Sequence, residues 1–102
     1  MTDRELLELA AKACGLEEAK MRIEFNQWNP LDDDGDALRL AVQLRLRVFT
    51  PTTDTDVAIA SCGDVRSTGH VNKYSEDEYT DPYAATRRAI TRAAAEIGRD
   101  MT

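Results

Sequence analysis

Apolar and polar positions along the chain fall into alternating helix-type and strand-type patterns. Residues 2–14 carry Leu6, Leu9, Ala10 and Ala13 at helical spacing, which predicts one apolar stripe. Thr2 and Glu5 have the spacing of a capping box, and Gly15 suits the left-handed residue that ends a helix. Residues 21–26 alternate strictly, with Met21, Ile23 and Phe25 on one side and Arg22, Glu24 and Asn26 on the other. That period predicts a half-buried strand, ended by Trp28-Asn29-Pro30. Carboxylates at 32, 33, 34 and 36 then precede the run Ala37-Leu38-Arg39-Leu40-Ala41-Val42, which predicts a helix from about Asp33 to Gln43.

The second half is read the same way. Leu44 to Phe49 alternates, with Leu44, Leu46 and Val48 inward and Arg45 and Arg47 outward. Pro51 to Asp56 is polar and loop-like. Val57 to Cys62 fits a strand, Cys62-Gly63-Asp64-Val65 a turn, and Val65 to Tyr74 a polar strand at a sheet edge. Asp81-Pro82 starts a last helix, which the pattern carries to about Ile97, with Gly98 closing it. Its predicted inner face is Tyr83, Thr86, Ile90, Ala93, Ala94 and Ile97. Arg88 and Arg92 lie two residues either side of Ile90, about 200° round the axis, and are expected in solvent.

The order is therefore α-β-α-β-β-β-α. It implies an α+β fold in which an antiparallel meander is covered by helices, as two layers or an α/β/α sandwich. A chain of 102 residues is enough for one domain, 1–102, with one hydrophobic core. No run approaches the ~20 apolar residues of a membrane span, and the acidic N-terminal segment is unlike a secretory signal. The expected location is the cytoplasm. Cys14 and Cys62, far apart and without CxxC spacing, are expected as free, buried thiols.

Charge narrows the function classes. The net charge of −6 argues against a general nucleic-acid binder. The β-β-β-α order after a helix keeps an RNA-binding domain of the double-stranded type as a third, disfavoured alternative, because Glu76, Asp77, Glu78 and Asp81 stand where the last helix should meet phosphate and would repel it. Ten of the 13 basic residues are Arg, whose planar fork suits carboxylate and phosphate.

Catalytic and metal chemistry find little support. Aligning Gly35 with the invariant glycine of an EF-hand loop puts Pro30 and Ala41 at ligand positions, so Asp32-Asp33-Asp34-Gly35-Asp36 reads as helix capping. His70 is the only histidine, with Ser67 on the same side of a polar strand; no zinc ligand set, phosphate loop or GxSxG is present. The chain is read as a non-enzyme without a cofactor or metal. Candidate contact residues are the basic pairs Arg45, Arg47 and Arg88, Arg92, and the acidic Asp32, Asp33, Asp34 and Asp36.

The segments MTDRELLELAAKACGL, WNPLDDDGDALRLAVQL and DPYAATRRAITRAAAEIG resemble small proteins of tailed bacteriophages and prophages, similar in layout to the phage ABA sandwich domain family. The block from Trp28 to Leu38 is the most specific part, and residues 50–80 show no likeness. The resemblance implies a fold and a phage accessory origin, with no activity or functional residues to carry over. Two functions follow as expectations. One is a protein-interaction module that binds a partner or itself as a homodimer. The other is a binder of a small anionic ligand such as a nucleotide signal.

Overall fold

The computed structural model describes residues 2–50, 57–62, 65–70 and 81–101. Among the described residues it is an α+β arrangement of four helices and a small antiparallel sheet. Helix α1 spans Asp3–Cys14, α2 Ala19–Glu24, α3 Asp34–Gln43 and α4 Pro82–Asp100. Strands β1 (Arg47–Phe49), β2 (Val57–Cys62) and β3 (Val65–His70) lie in that order in the sheet. Among the described residues, no helix is long and apolar enough to cross a membrane.

Helix ends follow the local chemistry. The Thr2 hydroxyl accepts the Glu5 N–H at 3.1 Å, and Gly15 takes φ 68° at the other end of α1. Asp33 caps α3 by accepting the Asp36 N–H at 2.7 Å. Asp81 caps α4 by accepting the N–H groups of Tyr83 and Ala84 at 3.0 and 3.1 Å, with Pro82 in the first turn, where its missing N–H costs nothing. Replacing Asp81 with Ala should destabilise the protein by about 1 kcal/mol, measured by urea denaturation. A loss no larger than that of Lys12→Ala would show that the cap does not hold the helix.

The expected strand over residues 21–26 is instead helix α2 within Ala19–Glu24. Met21 and Phe25 are 47% and 65% exposed, and only Ile23 joins the core edge. A single strand here would need a neighbour for its N–H and C=O groups. A helix satisfies its own, and the left-handed Glu18 at φ 56° turns the chain into it. The strand expected over Leu44 to Phe49 is shorter, because Arg45 takes φ 56° and belongs to the end of α3. Its N–H donates to the Val42 carbonyl and that of Leu46 to the Ala41 carbonyl at 2.9 Å, using carbonyls the helix leaves open. Residues 71–74 of the last expected strand, and Glu76, Asp77 and Glu78, lie outside the described residues.

Helix α4 is the central element. It packs along α1 on one side and on all three strands on another, and it also meets α3. That explains its composition. Ala85, Ala89, Ile90, Thr91, Ala93, Ala94, Ala95 and Gly98 are all buried, a wider surface than one face supplies. Thr91 hides its hydroxyl by donating to the Arg87 carbonyl at 2.8 Å. Tyr83, expected inward, is 69% exposed, and Ile97 is half-buried. Gly98 does not end the helix, which continues to Asp100. It lies against the backbone of α1, where an added Cβ would drive into the Leu9 carbonyl. Across the sheet, Ala58 and Ala60 are fully buried, and Val48 pairs with Ala60 on that same face. Arg47 and Phe49 pair with Ser61 and Ile59 on the other face, and both are exposed.

Trp28, Pro30 and Leu31 are buried between the helices, so the Trp-Asn-Pro-Leu segment is a core corner. Asn29 shapes it. Its side-chain oxygen accepts the Leu31 N–H at 3.0 Å, and its own N–H donates to Asp36 at 2.9 Å.

Candidate functional site

The acidic cluster that opens α3 is held by its own neighbours. Asp33 is the cap. Asp36 bridges the Asn29 N–H and the Arg39 guanidinium, the latter at 2.6 Å. Asp32 accepts from the Asn29 amide at 3.2 Å. Asp34 pairs with Arg87 of α4 at 2.7 Å. Asp32, Asp33 and Asp36 thus share a polar recess with Asn29 and Arg39, whose groups they engage, while Asp34 turns to α4. Among the described residues no three His, Cys, Asp or Glu side chains converge as a metal site would require.

The basic residues separate. Arg87 ties α4 to the approach of α3: its Nε donates to the Leu31 carbonyl at 2.8 Å while Nη1 meets Asp34 at 2.7 Å. Arg88, expected in solvent, is half-buried against Asp3 of α1, with Nη1–Oδ1 at 3.2 Å. Arg92 is exposed. Arg45 and Arg47 stand exposed at the other end of α3, one at the helix end and one in β1, so they do not share a strand face. The eight candidate residues form no common pocket. Asp32, Asp33, Asp34 and Asp36 gather at one end of α3, and Arg45 and Arg47 follow its other end.

A different surface emerges between these two charged ends. A cleft of about 510 Å³ opens between α3, β1 and the first half of α4. Its walls are mainly apolar: Leu38 and Ala41 from α3, Val48 from β1, Tyr83 and Ile90 from α4. The Asp34–Arg87 ion pair stands in its wall. Leu38 and Tyr83 are 64% and 69% exposed, and Val42, one turn beyond Leu38, is 69% exposed. Large apolar side chains grouped this way on a surface mark contact sites more often than isolated ones do.

The sequence carried a signal for this surface. Helix α3 has apolar residues at 37, 38, 40, 41 and 42, while its burial uses only Ala37, Leu40 and Ala41. Leu38 and Val42 are therefore in excess of the core stripe.

The remaining chemistry is quiet. The Cys14 thiol is half-buried, donates to the Ala11 carbonyl at 3.4 Å, and has its pKa raised by burial. It is protonated at neutral pH and a poor nucleophile. The side chains of Cys62, Ser67 and His70 lie outside the described set. A polar recess of about 490 Å³ between α1, α2 and α3 carries Arg22 and Arg39, but Glu17 and Asp36 share its lining.

Compared with family models, curated proteins and solved structures, the chain matches none.

Proposed function

We propose that this chain is a non-catalytic protein-interaction module, of the phage accessory kind its sequence resembles, and that it works through the cleft between α3, β1 and α4. The observation that carries the reading is the combination of apolar walls with exposed Leu38, Val42 and Tyr83 beside it. Interface centres are rich in aromatic and aliphatic side chains and poor in charge, and this surface has that character. The layering supports the same reading. Helix α4 lies between α1 and the strands, so we take the fold as a sandwich-like member of the α+β class, in which α3 and α4 face β1 across the cleft.

Binding of a small anionic ligand has less behind it. Arg87 and Arg88 are engaged by Asp34 and Asp3, and Arg39 by Asp36. The cleft walls offer a nucleotide phosphate few donors.

Site-specific photo-crosslinking tests the proposal. A photoreactive residue at Leu38 should capture protein, and the same residue at Glu8, on the far helix α1, should not. Capture at Leu38 should fall at least tenfold when Tyr83 is replaced by Asp in the same molecule. Equal capture at both positions, or none at Leu38, would remove the cleft as the working surface. Thermal shifts with a nucleotide panel provide the opposing arm. A ligand at a hundred times its Kd adds about 2.7 kcal/mol of stability, enough to register clearly in a domain of this size. Such a shift would favour the anionic-ligand reading instead.

A further inference from the structure

Resting on that reading of the cleft, we infer that its occupant is a second copy of this chain, related by a two-fold axis that passes beside Val48 of β1. Three features of the surface are complementary to themselves, which is what a two-fold interface demands.

The first is the sheet edge. In the order β1-β2-β3, one side of β1 pairs with β2, and no described backbone group bonds to its other side. Such an edge is a template for another strand unless something covers it. The cleft lies directly against this strand, with Val48 in its wall.

The second is the register. An antiparallel pair of β1 strands centred on Val48 sets Arg47 opposite Phe49 of the partner subunit, and Phe49 opposite Arg47 of the partner subunit. Both residues lie on the exposed sheet face, Phe49 at 58% exposure. Opposed cations are avoided, and each guanidinium meets an aromatic ring.

The third is the stripe along α3. Asp34, Leu38 and Val42 are spaced four apart on one exposed side, and Arg45 follows the last turn. The stripe runs from Asp34, held by Arg87 at 2.7 Å yet 70% exposed, through two apolar residues to Arg45. Two such stripes laid antiparallel place Leu38 near Val42 of the partner subunit, and the acidic start of each helix near the basic end of the other. A net charge of −6 on each copy opposes association, but this local pairing of opposite charges acts at short range, where salt screens it least.

Sedimentation equilibrium of the full chain between 1 and 200 µM tests the inference. The expected species has twice the 11.4 kDa chain mass. Leu38→Asp should raise the dimer dissociation constant at least tenfold while leaving the far-ultraviolet circular dichroism unchanged, since Leu38 is exposed in the single copy. In a chain with Cys14 and Cys62 replaced by Ala, Val48→Cys should form an intermolecular disulfide on mild oxidation, because the axis brings the two positions opposite each other. Lys12→Cys in the same background should not. A monomer at 200 µM overturns the inference. So does a dimer that Leu38→Asp leaves intact and that Val48→Cys does not link. A monomeric chain that still crosslinks another protein at Leu38 would keep the interaction module and replace only its occupant.

Discussion

Gly98→Ala should lower the stability of this protein by about 3 kcal/mol or more, a larger loss than any surface substitution will produce. An alanine is normally a better helix residue than glycine, by up to about 1 kcal/mol. Position 98 reverses that preference because it is a crossing point of two helices. A Cβ there would enter the space of the Leu9 carbonyl, with the Leu9 carbonyl carbon at 2.9 Å and the Ala13 nitrogen at 3.3 Å. These are backbone atoms of α1, and no side-chain rotation can move them aside. The variant must push α1 and α4 apart, loosening contacts made by Ala10, Ala11, Ala94 and Ala95, all at most 1% exposed. Urea or thermal denaturation decides it. A neutral or stabilising Gly98→Ala would mean that the two helices do not approach this closely.

Ile90→Ala is expected to be the second most damaging change, at about 2–3 kcal/mol. Ile90 is 5% exposed and is the only large aliphatic side chain among the buried residues of α4. The cost sits in the lower part of the range for such truncations because Ile90 also lines the cleft, so water or a neighbour can enter the space it leaves. Against a total stability of about 5–15 kcal/mol, the loss is substantial. Arg88→Ala, two positions away, should cost about 1 kcal/mol or less. Its ion pair with Asp3 is partly solvated, with side-chain exposures of 31% and 64%, and such pairs contribute little. Equal losses for the two variants, or a greater one for Arg88, would mean that the face of α4 is misassigned.

The candidate contact residues were only partly legible. Capping accounted for Asp33 from the sequence, since a carboxylate just before a helix has free N–H groups to meet. The partners of Asp34 and Arg88 are 53 and 85 residues away along the chain, and local spacing carries no trace of them. The cleft is assembled from α3, β1 and α4, so no one segment announces it. Its single local trace is the surplus of apolar residues on α3.

What the sequence determined by itself was decided within a few residues. Both ends of α1 and the starts of α3 and α4 follow from Thr2, Gly15, Asp33 and Asp81, because caps act on backbone groups two to four positions away. The pairing of β2 with β3 joins segments only two residues apart. What the tertiary structure decided involves partners distant in the chain. Residues 21–26 alternate like a strand, yet residues 21–24 belong to helix α2, which satisfies its own hydrogen bonds, and among the described residues no strand lies beside them. Tyr83 reads as inward but faces the cleft. Gly98 reads as a stop but is a contact, because α1 presses against α4 at that point. Burial on α4 spreads around the helix because it is covered from several sides, and the periodicity of one segment can report only the side it was assumed to have.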